Sequence, residues 1–253
     1  MPLSISAIII TKNEELSIGD CLKSISWVDE IIVVDSGSND RTVEICKSFG
    51  AKVFIRKWQG YGRQKNIALN LATKNWILSI DADERITDSL KKEIQALDDS
   101  QYAYSIKRKS NYCGSWIYYG DWRSDYVVRL FKRKSAKFSH DLVHEAILSK
   151  YPIRKLKAEM LHFTYHNYED VIKKINIYSS AAAQILFFKK TKSSLTKAIF
   201  HSLWAFLRSY FLRCGFLDGQ AGFALALSNA QYTYYKYLKL LFLNQKKKKN
   251  SFE

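Results

Sequence analysis

The first hundred residues alternate short apolar runs with segments of helical spacing. Four runs rich in Ile and Val predict strands, at residues 5–10, 30–34, 51–55 and 76–80. Between them, apolar positions recur at the spacing of a helix, at residues 14–25, 39–49 and 62–71. Strands that alternate with helices in this way are typical of βαβ units. The pattern therefore predicts an α/β fold with a mostly parallel central sheet flanked by helices.

The rest of the chain follows a different pattern. Residues 102–148 predict mixed strands and a loop rich in aromatic and basic side chains, and the spacing is helical from Tyr168 onward. Pro2 and Pro152 are the two prolines of the chain, so no proline-rich linker separates domains. We expect one α/β domain over residues 1–165 and a basic, amphipathic helical extension over residues 166–253.

Polar clusters follow three of the predicted strands at the points where those strands end. They occupy residues 11–15, 35–40 and 81–83. In an open α/β sheet, ligands bind beyond the carboxyl ends of the strands. One acid in such a place is typical of a helix cap or a turn, but three successive clusters indicate a ligand site.

Asp81 and Asp83 are the most informative pair in these clusters. They stand one residue apart at the end of an apolar strand. Two close carboxylates repel each other, so the pKa of each would rise unless a cation neutralised them. A divalent ion bound through carboxylate oxygens, together with a diphosphate, meets that need. The Asp-x-Asp pattern alone is common in turns. Its position directly after an apolar strand is what indicates a ligand site here.

The order of these clusters resembles that of the family 2 glycosyltransferases with the GT-A fold, a Rossmann-like architecture. The match lies in Thr11-Lys12-Asn13-Glu14-Glu15, Val33-Val34-Asp35-Ser36-Gly37-Ser38, Asn39-Asp40-Arg41-Thr42, Gly62-Arg63-Gln64-Lys65-Asn66 and Asp81-Ala82-Asp83. The resemblance implies that residues 1–100 bind a nucleotide sugar and residues 101–165 bind its acceptor.

The resemblance also implies individual roles. The nucleotide-sugar-binding residues that it implies are Thr11, Asn13, Glu14, Asp35, Ser36, Arg63, Asn66, Asp81 and Ala82. Thr11 and Glu14 would line the nucleotide pocket, and Arg63 would approach the pyrophosphate. Asp35 would read the uracil edge, because a carboxylate accepts a hydrogen bond from the ring N–H. Asp83 would hold a divalent metal, Mg²⁺ or Mn²⁺, which a leaving diphosphate requires, and Asp81 would meet the ribose or the same metal.

Later motifs resemble one branch of that family, the enzymes that add a β-linked glucose to a heptose of the lipopolysaccharide inner core. The motifs are Trp116, Gly120-Asp121-Trp122, Asp125, Val128-Arg129-Leu130-Phe131, Val143-His144-Glu145 and Arg213-Cys214-Gly215-Phe216-Leu217-Asp218-Gly219. Trp122, Arg129 and His144 are the implied acceptor-side residues, and Arg129 has an alternative role as a partner of the metal-site carboxylates. Related chains often have Trp-Tyr-Pro-Asp where this one has Trp122-Arg123-Ser124-Asp125.

An inverting transfer needs a general base that deprotonates the acceptor hydroxyl, and a carboxylate or a histidine usually serves. We expect Glu145 to be this base, because it follows a basic, aromatic segment on the implied acceptor side. Asp125 and Asp121 are the next candidates. The alternative for Glu145 is an ordinary surface or ion-paired acid, and His144 is more often a hydrogen-bonding neighbour than a catalyst.

Charge is distributed unevenly along the 253 residues. Lys and Arg total 40 against 24 acids, a formal net charge of +16, and residues 171–249 carry 14 basic residues and a single acid, Asp218. Trp204, Phe206 and Phe211 stand among basic residues there, which is typical of a helix lying on an anionic bilayer. Packing within the protein, with solvated lysines, is the alternative. No recognition motif accompanies the charge, so we expect no nucleic-acid partner.

These features lead to one main hypothesis and two alternatives. The resemblance implies a metal-dependent inverting transferase that moves a hexose, glucose from UDP-glucose, onto an inner-core heptose. The start of the chain lacks a signal peptide, so we expect a cytoplasmic protein, peripheral at the inner membrane of a bacterium. A transferase acting on a polyprenyl phosphate or another glycolipid is one alternative. A non-catalytic basic protein that binds membranes or polyanions is the other, and it would not need Asp35, Asp81 and Asp83.

Overall fold

The computed structural model describes residues 3–99, 101–139 and 146–249, and the chain divides into two compact units. Unit 1 consists of Met1–Lys109 and Asp125–Phe163, and unit 2 consists of Ser110–Ser124 and Thr164–Glu253. The second junction lies close to the boundary predicted after residue 165. The short segment Ser110–Ser124 belongs to unit 2, and the domain boundaries expected from the sequence stay a prediction.

The secondary structure alternates strands and helices in the first half and is helical in the last third. The described strands are β1 (Ile5–Thr11), β2 (Glu30–Asp35), β3 (Lys52–Ile55), β4 (Trp76–Ser79), β5 (Glu84–Ile86), β6 (Ala103–Tyr112), β7 (Ser115–Trp116), β8 (Tyr126–Lys132), β9 (Ala136–Phe138), β10 (Ile147–Ser149) and β11 (Ile153–Tyr165). The α-helices are α1 (Ile18–Ser24), α2 (Thr42–Ser48), α3 (Tyr61–Leu71), α4 (Asp88–Gln95), α5 (Tyr168–Phe188), α6 (Leu195–Leu207) and α7 (Gly219–Lys249). Short 3-10 turns occupy Gly120–Trp122, Arg133–Ser135 and Gly215–Asp218, and a π-helical turn occupies Arg208–Leu212.

The central sheet has the strand order β3-β2-β1-β4-β8-β6-β11-β5 among the described residues. Strands β3, β2, β1 and β4 are parallel, whereas β8 pairs antiparallel with both β4 and β6, and β11 pairs antiparallel with β5. The register sets Thr11 beside Asp35 at the carboxyl ends of β1 and β2. The predicted α/β class is thus confirmed, with antiparallel strands extending a parallel core.

Both faces of the parallel strands are covered, so neighbouring residues of one strand are both buried. On β1, Ile8 and Ile9 point to opposite faces and belong to two different hydrophobic clusters. A strand that is buried on both faces reads as a continuous apolar run, which is the pattern of residues 5–10. The rigid sheet therefore holds the polar residues that follow β1, β2 and β4 at one edge.

Helices α5, α6 and α7 form most of unit 2 and confirm the predicted helical extension. Side-chain oxygens of Asn167 and Ser194 accept hydrogen bonds from backbone N–H groups in the first turns of α5 and α6. The segment Ser110–Ser124 is tied to these helices, since the Tyr112 hydroxyl lies 2.8 Å from that of Ser228. No helix in the described part of the chain is both long and apolar enough to cross a membrane.

Candidate active site

Asp35 organises the turn that follows β2. Its buried carboxylate accepts hydrogen bonds from the Thr11 hydroxyl at 2.9 Å, from the Gly37 and Ser38 N–H groups at 2.9 and 2.8 Å, and from the Ser38 hydroxyl at 2.5 Å. A carboxylate offers about four acceptor positions, so these four contacts use the whole group. The carboxylate therefore fixes its own loop, and its contact with a uracil ring stays a prediction.

The loops after β1 and β2 are joined by hydrogen bonds. Asn13, which has a positive φ of 55°, donates its N–H to the Ser38 hydroxyl at 2.8 Å and accepts from the Asn39 N–H at 2.9 Å. The N–H of Glu14 donates to the hydroxyl of Thr42 at 2.7 Å. The two polar clusters that the sequence singles out at these strand ends thus form one surface.

Helix α3 contributes a third set of predicted residues. Gln64 donates to the Ser36 hydroxyl at 3.0 Å, and Arg63 is exposed on the first turn of the helix. The Asn66 amide donates to the carbonyl of Phe138 at 2.9 Å and accepts from its N–H at 3.0 Å. Asn66 therefore joins α3 to β9, and its predicted contact with a nucleotide stays a prediction.

Asp81 is paired with two cations of the protein. One carboxylate oxygen lies 2.9 Å from Nζ of Lys65, and the other accepts from the guanidinium of Arg129. Burial alone would raise the pKa of Asp81, but the positive charges of Arg129 and Lys65 lower it well below its ordinary value. The sequence predicts a metal as the cation beside this carboxylate, whereas in the structure Lys65 and Arg129 compensate its charge. Ala82, which follows, is buried.

The pairing continues beyond Asp81 as a row of alternating charges. Arg129 also donates to the fully buried Glu84, and Glu84 lies 3.5 Å from the guanidinium of Arg108. Arg108 in turn donates through Nε to Asp125 at 2.7 Å. We call this row the ion-pair chain, and its members are Lys65, Asp81, Arg129, Glu84, Arg108 and Asp125. The structure thus gives Arg129 the ion-pair role that the sequence left open, and an acceptor contact by Arg129 stays a prediction.

Asp83 has a neighbour that the sequence reasoning missed. Nε2 of His162 lies 3.5 Å from its Oδ2. His162 is on β11, whose antiparallel register places it opposite Glu84. Its place near Asp83 depends on the pairing of two strands that are far apart in the sequence, and no local motif predicts that pairing.

One carboxylate and one imidazole fit a divalent ion that takes its other ligands from substrate oxygens and water. Within residues 3–99, 101–139 and 146–249, no three His, Cys, Asp or Glu side chains are arranged to hold a metal ion. Asp83 and His162 are therefore the pair that fits such an ion. Asp81, the other predicted metal ligand, has both oxygens engaged by cations.

The three candidates for the catalytic base have different outcomes. Glu145 and the neighbouring His144 lie outside the described residues, so both stay predictions. Asp125 is in unit 1 and pairs with Arg108. Asp121, only four positions earlier in the sequence, is in unit 2. The structure therefore does not bring Asp121 and Asp125 into one unit.

Asp121 and Trp122 are both held by side chains of unit 2. The Asp121 carboxylate accepts from Arg213 at 2.7 Å, from Arg208 at 3.1 Å and from Asn229 at 3.2 Å. The Trp122 ring stacks on that of Tyr165, with centroids 6.1 Å apart. These contacts stabilise the segment Ser110–Ser124 against the rest of unit 2, and the acceptor-side role of Trp122 stays a prediction.

Comparison with known proteins identifies one family. The model of glycosyl transferase family 2 matches residues 6–157. A lipopolysaccharide core biosynthesis glycosyltransferase, LpsC of Rhizobium meliloti, is 30% identical over 92% of this chain and 90% of its own. An uncharacterized glycosyltransferase of Rickettsia typhi is 33% identical over 87% of this chain and 80% of its own. Among solved structures, S. aureus TarS is 16% identical over 92% of this chain and 90% of that chain, with a TM-score of 0.46.

Proposed function

The chain belongs to glycosyl transferase family 2, and from this we propose that it moves a hexose, glucose from UDP-glucose, onto a heptose of the lipopolysaccharide inner core with inversion. The observation that carries the proposal is the convergence of three polar clusters at one sheet edge. Hydrogen bonds join the loops after β1 and β2, and Asp81 and Asp83 follow β4, which is parallel to β1. The likeness to LpsC, which is named for lipopolysaccharide core biosynthesis, supports this acceptor.

On the donor side, the protein supplies cations and a place for a metal. Asp83 and His162 would hold a Mg²⁺ or Mn²⁺ ion, and that ion would stabilise the negative charge of the departing diphosphate. Lys65 and Arg129 hold Asp81 ionised beside this position. Asp81 would accept a hydrogen bond from a ribose hydroxyl, because an ionised carboxylate is an acceptor only.

On the acceptor side, we assign the general base to Glu145. Its carboxylate would take the proton of the heptose hydroxyl while the hydroxyl oxygen forms a bond to the anomeric carbon. The bond from that carbon to the diphosphate oxygen breaks on the opposite face, so UDP leaves and the configuration inverts. Asp125 serves as the alternative base, at the cost of its pairing with Arg108.

We also assign unit 2 a contact with the anionic cytoplasmic face of the bacterial inner membrane. Six large apolar side chains between residues 200 and 212 are 45–67% exposed, namely Phe200, Leu203, Trp204, Leu207, Phe211 and Leu212. Contiguous exposed apolar surface on a soluble fold is typical of a membrane or protein contact. The excess of basic residues over residues 171–249 favours anionic lipid, since each Lys or Arg near such a surface contributes about 1 kcal/mol.

Calorimetry tests the donor assignment. We expect wild-type protein to bind UDP in the presence of Mn²⁺ and to lose most of that affinity when the metal is withheld. Asp83→Ala should lose the same metal-dependent part, whereas Asp98→Ala, which removes an exposed acid of unit 1, should bind as wild type. Absent UDP binding, or binding that is indifferent to metal, would contradict the proposal.

Mass spectrometry tests the transfer. Lipopolysaccharide from a strain that lacks this chain is incubated with the purified protein and a panel of UDP-sugars, and the mass of the core is measured. We expect one added hexose from UDP-glucose. Glu145→Gln should keep UDP binding and lose transfer by orders of magnitude. Normal turnover by that variant would indicate that Asp125, and not Glu145, is the base. A product formed on polyprenyl phosphate alone would overturn the acceptor assignment.

Vesicle sedimentation tests the membrane contact. Wild-type protein should sediment with vesicles of phosphatidylglycerol and much less with phosphatidylcholine. The double variant Phe200→Ser with Leu212→Ser should partition at least about tenfold less, because two apolar side chains no longer enter the lipid. Phe49→Ser removes an exposed Phe of unit 1 and is the matched control. Equal partition of all three proteins would refute the contact.

A further inference from the structure

Unit 2 contains a cavity of about 310 Å³ outside the proposed donor site. Its lining comes from the segment Ser110–Ser124, from α6 with the following π-helical turn, and from α7. The residues that matter for its chemistry are Asp121, His201, Trp204, Arg208, Lys236 and Tyr237. A volume of this size is at the lower end of that of small-molecule sites.

The cavity carries more positive than negative charge. Asp121 is the one acid among the described residues that line it, and Arg208, Arg213 and Asn229 already bind its two oxygens. Lys236 is a second cation of the lining. It is half-buried between aromatic rings, and its Nζ lies 4.8 Å from the ring centroid of Tyr237. Burial and the nearby charge of Arg208 lower the pKa of Lys236. The lining therefore includes two cations, Arg208 and Lys236, while its acid is already paired.

Arg208 has unused hydrogen-bonding capacity. Its Nε is buried and has no hydrogen-bond partner among the described residues, while its terminal nitrogen donates to Asp121. A guanidinium has five N–H donors, and a buried donor without a partner costs free energy that an anionic acceptor would recover. An anion that accepted from both Arg208 and Lys236 would also relieve their mutual repulsion.

Aromatic rings form a further part of the lining. The rings of His201 and Tyr237 are stacked with centroids 4.5 Å apart, and the half-exposed indole of Trp204 stands at the rim. Flat apolar faces beside a cationic pair match a ligand with a charged end and a ring that bears C–H groups. We propose that this cavity binds a phosphate monoester carried by a saccharide, with Lys236 and Arg208 on the phosphate and the aromatic rings on the sugar.

Calorimetry with glucose 6-phosphate tests the proposal, with glucose as the uncharged comparison. We expect wild-type protein to bind the phosphate ester and not glucose. Lys236→Met keeps the apolar stem and removes the charge, so it should weaken binding at least about tenfold. Lys236→Arg should stay within a few-fold of wild type, because a guanidinium also binds phosphate. Lys47→Met removes an exposed lysine of unit 1, outside the basic region, and should not change the affinity.

A second arm separates a sugar phosphate from a lipid headgroup. Vesicles of phosphatidylcholine with and without phosphatidic acid present the same phosphate monoester on a lipid. Binding of these vesicles that falls in Lys236→Met but not in Lys47→Met, with no binding of glucose 6-phosphate, would overturn the saccharide and assign the phosphate to a lipid. If neither probe distinguishes the two lysine variants, the cavity is not a phosphate site. Neither arm contains UDP, metal or acceptor, so its failure is separate from failure of the transferase assignment.

Discussion

Replacement of Arg129 by Met tests how strongly the ion-pair chain stabilises unit 1. The Arg129 side chain is 7% exposed and that of Glu84 is 0% exposed, so the variant leaves a buried carboxylate without its main partner. Removal of one partner from a buried pair costs about 3–5 kcal/mol. Lys65 still pairs with Asp81, and Arg108 still approaches Glu84 at 3.5 Å. We therefore expect a loss at the lower end, about 3 kcal/mol at pH 7.

Urea unfolding followed by circular dichroism and by tryptophan fluorescence measures this loss. Arg41→Met is the matched control, since it removes the same side chain from an exposed pair with Glu44. Exposed pairs contribute little, so this control should unfold at nearly the same urea concentration as wild type. A loss in Arg129→Met as small as that of the control would refute the argument that the ion-pair chain stabilises unit 1.

The charge, rather than the lost packing, is the cause that we infer, and a double-mutant cycle isolates it. Glu84→Gln keeps the shape and the acceptor for the Asp81 N–H, and it removes the negative charge. Combined with Arg129→Met, it should recover at least about 1 kcal/mol, because no unpaired carboxylate then remains at position 84. Strictly additive losses would show that packing alone explains the destabilisation.

Three further predictions follow from other contacts. Burial alone would raise the pKa of Glu30, but hydrogen bonds from Lys52, Ser6 and Thr73 lower it to about 2. Because the Lys52 side chain is 61% exposed, solvent weakens this pair, and Glu30→Gln should lower the free energy of unfolding by about 1–2 kcal/mol at pH 7. Since a lowered pKa stabilises the fold above the unfolded value of 4.5, that difference in unfolding free energy should shrink as the pH falls from 4.5 toward 2. Asp81→Asn should behave in the same direction, with a melting-temperature difference that is full at neutral pH and shrinks as the pH falls below the ordinary value of 3.8. Gly222→Ala should lower the melting temperature by several degrees, because the new Cβ would lie 1.9 Å from the Gly215 carbonyl oxygen. Gly19→Ala is the control and should be tolerated, since its new Cβ would lie 3.7 Å from the nearest atom, Cγ2 of Ile45.

Strand positions and the polar strand ends were predictable because both depend on local patterns. The buried run of β1 and the polar residues that follow it identify a parallel strand and its ligand edge. Helix α1 shows the limit of this reasoning, since it begins at Ile18 rather than at residue 14. The N–H groups of Ser17 and Ile18 both bond to the carbonyl of Glu14, which makes a turn before the helix.

The partners of the acidic residues were not predictable, because they come from distant parts of the chain. Lys65 reaches Asp81 from α3, and His162 reaches Asp83 from β11. Arg129 was named in the sequence, but only the pairing of β8 with β4 explains how it meets Asp81. Repulsion between Asp81 and Asp83 correctly indicated that a cation was needed, and the sequence alone did not reveal that side chains supply it for Asp81.

The discontinuous composition of unit 2 affects how it can be exchanged between relatives. Because Ser110–Ser124 is inserted between two parts of unit 1, no single recombination point exchanges unit 2 between relatives. A crossover near Thr164 would join foreign helices to the resident insert. Tyr112 and its partner Ser228 would then come from different parent proteins, and so would Asp121 and its partner Arg213. Functional chimeras therefore require the insert and the helices to be transplanted together, and changes in either segment should be accompanied by compensating changes in the other.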